Sequence, residues 1–258
     1  MCHQDWSDTD PRASAEPVAV AVEDGDPMPA WEFTPAAAPV GTCVVVPDIF
    51  GPVPFYAQVA RRLADSGLRA VLVDYFFREG PLTELTREAA FARRAALDER
   101  RTIRDLSAAV DQVRSDHART GVIGFCLAGQ LALDLCAERD DLAAVCFYPF
   151  PEGVAGPVAV RAPRPIDLAA RIKGPVVSFW GSEDYVGRDV MDRFERAMHA
   201  AGADYRQHIY PGATHGFLRG LVEPDHPDRD AAHDAWERSV AFLASALTAA
   251  TQEAGPAR

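Results

Sequence analysis

Short apolar runs alternate along this chain with longer stretches in which apolar residues return every three or four positions. The runs at 43–47, 69–74, 121–125, 142–148, 175–180 and 205–210 predict strands. Several are apolar almost throughout, as strands covered on both faces must be. Helical spacing predicts helices over 54–66, 83–116 with a break inside it, 128–139, 188–201 and 230–247. Strand and helix in alternation predict an α/β fold with a mainly parallel sheet and helices on both faces. In such a sheet ligands bind beyond the carboxyl ends of the strands. No internal repeat interrupts the pattern, and 152–171, rich in Pro, Ala and Val, is expected to be a connecting loop bordering the pocket.

Composition narrows this picture. A chain of 258 residues can bury a full core in one domain. The polar ends divide it into a disordered tail over 1–16, a domain over 17–247 and a second disordered tail over 248–258. Apolar residues at 48% and charged residues at 25% exclude a wholly disordered, collagen-like or heptad-repeat chain. The formal charge of -12 disfavours nucleic acid and anionic membranes as partners, while leaving room for a local basic pocket. The start lacks a basic segment followed by an apolar one, and no apolar run is long enough to span a membrane, so a cytoplasmic location is expected. Five cysteines, an odd number without a CxxC pair, predict reduced thiols rather than a zinc or redox site.

One of those thiols stands apart. Gly124-Phe125-Cys126-Leu127-Ala128-Gly129 falls where a predicted strand passes into a predicted helix, which is the nucleophile-elbow pattern with Cys for Ser. A sharp turn there projects the central side chain above the sheet. The helix N-terminus then lowers the thiol pKa and offers N–H groups to an oxyanion. Ala128 departs mildly from the usual glycine. Cys43, Cys136 and Cys146 lie in apolar contexts and are expected to be buried hydrophobes.

A thiol nucleophile needs a base and a group to orient it. Gly181-Ser182-Glu183-Asp184 follows one predicted strand and Pro211-Gly212-Ala213-Thr214-His215-Gly216-Phe217 the next. The order Cys126, Asp184, His215 is that of an α/β-hydrolase. His199, His208, His226 and His233 are expected to be structural or solvated. The acidic stretch 223–230, with its prolines and Arg229, predicts an exposed loop before an N-capped helix rather than a metal site.

These motifs, together with Pro47-Asp48-Ile49-Phe50-Gly51, resemble the dienelactone hydrolase (carboxymethylenebutenolidase) family over nearly the whole core. The resemblance implies Cys126, His215 and Asp184 as a triad and the N–H groups of Leu127 and Ile49 as an oxyanion hole. It implies Asp48 as a further catalytic residue, where the family has a glutamate holding the resting thiol; Asp is one methylene shorter, and a carboxylate that shapes the turn before the oxyanion N–H is the alternative. It also implies Arg78 and Arg219 as ligands for a substrate carboxylate, with surface ion pairs as the alternative. The expected activity is hydrolysis of a small, carboxylate-bearing ester or lactone through a thioester, without metal or cofactor, by a monomer or small homo-oligomer. An acyltransferase or cyclase on the same fold, and a non-catalytic thiol sensor, are the competing readings.

Overall fold

In the computed structural model, which describes residues 10–114 and 119–253, the six predicted strands lie side by side in an eight-stranded sheet. They are β3 (Thr42–Val46), β4 (Arg69–Val73), β5 (Thr120–Phe125), β6 (Leu142–Phe147), β7 (Val176–Glu183) and β8 (Tyr205–Thr214). Two further strands precede them, β1 (Glu16–Val20) and β2 (Met28–Phe33), and the spatial order is β1-β2-β4-β3-β5-β6-β7-β8. From β4 to β8 every neighbouring pair is parallel, so the carboxyl ends of β3, β5, β6, β7 and β8 open on one edge. The chain has the expected α/β class.

Strand pattern and burial agree. All residues of β3, β5 and β6 are buried, as strands with helices on both faces require. The antiparallel strands β1 and β2 extend the sheet beyond β4, with β1 at the edge, and Pro17 and Pro29 erase their strand signal from the sequence.

The helices are α1 (Pro54–Asp65), α2 (Arg87–Arg94), α3 (Glu99–Val113), α4 (Leu127–Glu138), α5 (Pro165–Leu168), α6 (Arg188–Ala200) and α7 (Arg229–Glu253). The break expected within 83–116 separates α2 from α3. Thr86 caps α2 by accepting from Ala89 N–H, and Asp98 caps α3 by accepting from Arg101 N–H.

Both ends of the described chain are more ordered than expected. Arg12 lies over the Trp31 ring and donates to the Pro52 carbonyl at 2.7 Å, so 10–16 belongs to the folded body. Helix α7 continues through Glu253, because Leu243 and Leu247 are fully buried and anchor its last turns beside Gly121 and Gly41. The remainder of the expected tails, 1–9 and 254–258, lies outside the described residues.

Candidate active site

Cys126 stands between β5 and α4 with φ 57° and ψ −118°, a conformation L side chains rarely adopt. Such strain costs about 1–3 kcal/mol and persists only where its surroundings impose it. They do so here through close packing. A Cβ on Gly124 would lie 2.3 Å from the Ala128 carbonyl oxygen, and one on Gly129 would lie 2.9 Å from Pro149 Cβ. The Cys126 N–H donates to the Phe147 carbonyl at 3.0 Å, tying the turn to the end of β6. Ala128 is fully buried without disturbing the turn, which explains why its departure from glycine is tolerated. Leu127 is the first residue of α4, so its N–H has no intrahelical acceptor.

Strands β7 and β8 run further than their apolar runs indicate. Glu183 pairs with Thr214, across an irregularity that begins at Gly181, so the next residues, Asp184 and His215, emerge side by side. His215 Nδ1 lies 3.0 Å from each Asp184 carboxylate oxygen, and both side chains are buried. Asp184 Oδ1 also accepts from Val186 N–H at 2.9 Å, which fixes the carboxylate. The His215 ring stacks against Tyr185 at 4.1 Å and lies 4.7 Å from the Tyr148 ring.

The stretch 223–230 is mostly exposed and leads into α7, as expected, but Asp228 is buried. Asp228 accepts from both the backbone N–H and the hydroxyl of Thr214, securing the residue before His215.

Beyond β3, Asp48 is fully buried, and its Oδ1 accepts from Phe50 N–H at 2.9 Å. Its carbonyl accepts from Gly51 N–H at 3.0 Å and from the Tyr75 hydroxyl at 3.2 Å. Burial, with the nearby Asp48 and Cys126, pushes the Tyr75 phenol well above its usual range, so it remains a donor. These contacts hold the turn that carries Ile49. Arg93 adds a bond the sequence did not indicate, donating from Nη2 to the Ile49 carbonyl at 2.8 Å.

Cys126, Leu127, Ile49 and Phe50 open into a cavity of about 410 Å³, within the range of small-molecule sites. Its walls are Phe91 from α2, Phe150 and Tyr185 beside His215, and Val154 and Ala155 from the predicted connecting loop.

The two expected arginines do not line it. Arg78 makes a bidentate pair with Asp105, 2.8 Å from Nε to Oδ2 and 2.9 Å from Nη2 to Oδ1, and a further pair with Asp24. Arg219 donates to Glu223, one helical turn away in sequence. The cation on the cavity wall is Arg87, the first residue of α2, whose guanidinium lies 5.4 Å from the Phe91 ring centroid. No carboxylate of a described residue pairs with it. The i, i+4 spacing of Arg87 and Phe91 was visible in the sequence, but nothing there showed that this helical face borders Cys126.

A parallel sheet with an elbow thiol after its central strand, and a buried imidazole–carboxylate pair after the two strands beyond, defines a cysteine-bearing α/β-hydrolase. The comparisons with known proteins agree. The dienelactone hydrolase family profile matches residues 28–247. The carboxymethylenebutenolidase of Rhodococcus opacus is 36% identical over 253 residues, covering 96% of this chain and 98% of that protein. Carboxymethylenebutenolidase 2 of Cupriavidus pinatubonensis is 36% identical over 184 residues, 70% of this chain and 75% of its own. A crystal structure from Klebsiella pneumoniae bearing the dienelactone hydrolase name superposes with a TM-score of 0.80 at 26% identity, covering 89% of this chain and 98% of that one. The chain belongs to the dienelactone hydrolase family.

Proposed function

We propose that this protein hydrolyses small carboxylic esters or lactones through a thioester on Cys126. The observation that carries the reading is the His215–Asp184 pair, buried and held at 3.0 Å on the strand edge where the strained Cys126 also emerges. In this scheme the Cys126 thiolate, favoured by His215 and by the α4 N-terminus, attacks the carbonyl carbon. The carbonyl π electrons move to oxygen, and the N–H groups of Leu127 and Ile49 receive the oxyanion. Losing one such donor costs about 3 kcal/mol of barrier.

Collapse of the tetrahedral adduct expels the alcohol, which takes its proton from the His215 imidazolium. His215 then removes a proton from water as the water adds to the thioester, and the thiolate leaves. Asp184 holds the ring in one tautomer and stabilises its cationic form. When the substrate is a lactone, the expelled alcohol stays on the acid as its own hydroxyl.

An apolar cavity bordered by Arg87, whose guanidinium meets no carboxylate among the described residues, suits an ester that carries a carboxylate away from its reacting end. The carboxylate partner is thus read as Arg87 in place of Arg78 and Arg219, both engaged by acidic side chains.

The test is turnover of a dienelactone and of a neutral aryl ester by wild type and Cys126→Ala. Turnover by wild type that is lost in the variant supports the scheme. Wild type that leaves both substrates intact while Cys126 still takes up a thiol reagent would return the protein to the acyltransfer or sensor readings.

A further inference from the structure

The cavity has two walls with no shared backbone ladder. One is the face of α2 that carries Arg87 and Phe91; the other is the stretch 152–164, which contains no helix and a single bridge, Asp98 to Val160. Backbone bonds join Val160 to Glu99 and Leu97, Arg161 donates to Val154 and Gly156 within the stretch, and the side-chain bonds that reach it from α2 and α3 converge on one buried ion pair.

Arg94 and Glu99 are both fully buried, with Arg94 Nη2 donating to Glu99 Oε1 at 3.2 Å. The same guanidinium donates to three carbonyls of the loop: Val154 at 3.0 Å, Ala155 at 3.1 Å and Pro157 at 3.4 Å. Glu99 Oε2 accepts from Ala162 N–H at 2.9 Å, and the Glu99 N–H donates to the Val160 carbonyl at 2.9 Å. On the far side, Gln130 of α4 accepts from Val154 N–H at 3.0 Å. Arg94 ends the same helix that carries Arg87 and Phe91, so one residue joins both walls.

Burying two charges carries a large desolvation cost, and apolar residues of similar volume often serve folding equally well. What the pair supplies beyond stability is direction, because a planar fork reaches three carbonyls that an apolar side chain cannot hold.

We propose that the Arg94–Glu99 pair is a positioning device that sets the separation of the α2 wall from Val154 and Ala155, and through it which acyl groups fit beside Cys126. The proposal rests on the ester-hydrolase reading. Neither residue touches the reacting atoms.

The experiment compares wild type with Glu99→Gln, Arg94→Lys and the double variant Arg94→Met/Glu99→Leu, which buries no lone charge. Two readouts are taken: kcat and KM for p-nitrophenyl acetate and p-nitrophenyl hexanoate, and hydrogen exchange at the amides of Val154 and Ala162. The expected result is a change of about tenfold in the acetate-to-hexanoate ratio of kcat/KM, the scale of a misfit methylene in an apolar pocket, carried by KM with kcat within about twofold. Exchange at Val154 and Ala162 accelerates in the same variants. If exchange accelerates while the acyl ratio stays at the wild-type value, the pair is structural only and the proposal is overturned. An unchanged ratio with unchanged exchange overturns it as well. Should the single variants fail to fold, the double variant decides by the same criteria. Wild type that hydrolyses neither ester defeats the underlying activity instead, a separate and recognisable failure.

Discussion

Asp184 offers both carboxylate oxygens to one nitrogen, Nδ1 of His215, each at 3.0 Å and within a buried pair. This symmetric seating places the proton on Nδ1 and makes Nε2 the acceptor nitrogen the proposed scheme requires, since a nitrogen facing two acceptors must be the donor. Asp184→Asn retains the shape but can turn its own amide donor toward the ring. The expected outcome is a fall in kcat on the order of 10³–10⁴-fold with unchanged circular dichroism, measured on the aryl ester. A loss below tenfold would remove Asp184 from the scheme.

Gly124 is set by a contact rather than by its own backbone angles. Its missing Cβ makes room for the Ala128 carbonyl, 2.3 Å from where a methyl group would sit. Gly124→Ala must push the first turn of α4 away from β5, and a loss of about 3 kcal/mol or more is expected in urea unfolding. Full stability in that variant would show that the elbow is looser than its geometry implies.

Thiol reactivity should separate Cys126 from the other described cysteines. Burial, with Asp134 and Asp141 nearby, pushes the Cys136 thiol up to about 12, and burial holds Cys43 and Cys146 well above their usual range. A raised thiol pKa leaves almost no thiolate until the pH approaches it, so at pH 8 these three stay protonated and unreactive. Iodoacetamide at that pH is expected to label Cys126 and none of the three, as read by peptide mass mapping; in urea all four should react.

The two arginine readings make opposite forecasts. Arg87→Met should raise KM for an anionic lactone by about tenfold, the loss of one charge-assisted contact, and leave a neutral aryl ester unaffected. Arg78→Met should leave both KM values unchanged while costing about 1–2 kcal/mol in urea unfolding, because the buried Asp105 loses a partly screened partner. Kinetic effects confined to Arg78→Met would restore the earlier assignment.

The strand ends of β3, β5 and β6 were legible from their apolar runs to within a residue or so, because strands buried on both faces leave no polar interruption to mislead. The ends of β7 and β8 were not. Polar or small residues such as Ser182, Pro211 and Gly212 continue those strands, held by cross-strand pairing that no single segment displays. The hairpin β1–β2 was lost for a related reason: Pro17 on the edge strand and Pro29 near the start of β2 interrupt the strand signal, while the cross-strand pairing persists around them.

For the site, local sequence determined what depends on chain neighbours: the thiol at a strand-to-helix turn, the small residues that let the turn close, and the order of Cys126, Asp184 and His215. Tertiary structure alone decided which cations face the cavity. Arg78 and Arg219 stand at the right distance along the chain, but Arg78 goes to Asp105, which only the fold brings within reach, and Arg219 goes to Glu223, its neighbour four residues on. Arg87 is left on the wall, and Arg93 and Arg94 turn inward to backbone carbonyls, because those partners come from segments far away in sequence. Local turns are governed by steric rules that act over a few residues, whereas ion pairing and cavity shape depend on distances that exist only once the sheet has formed.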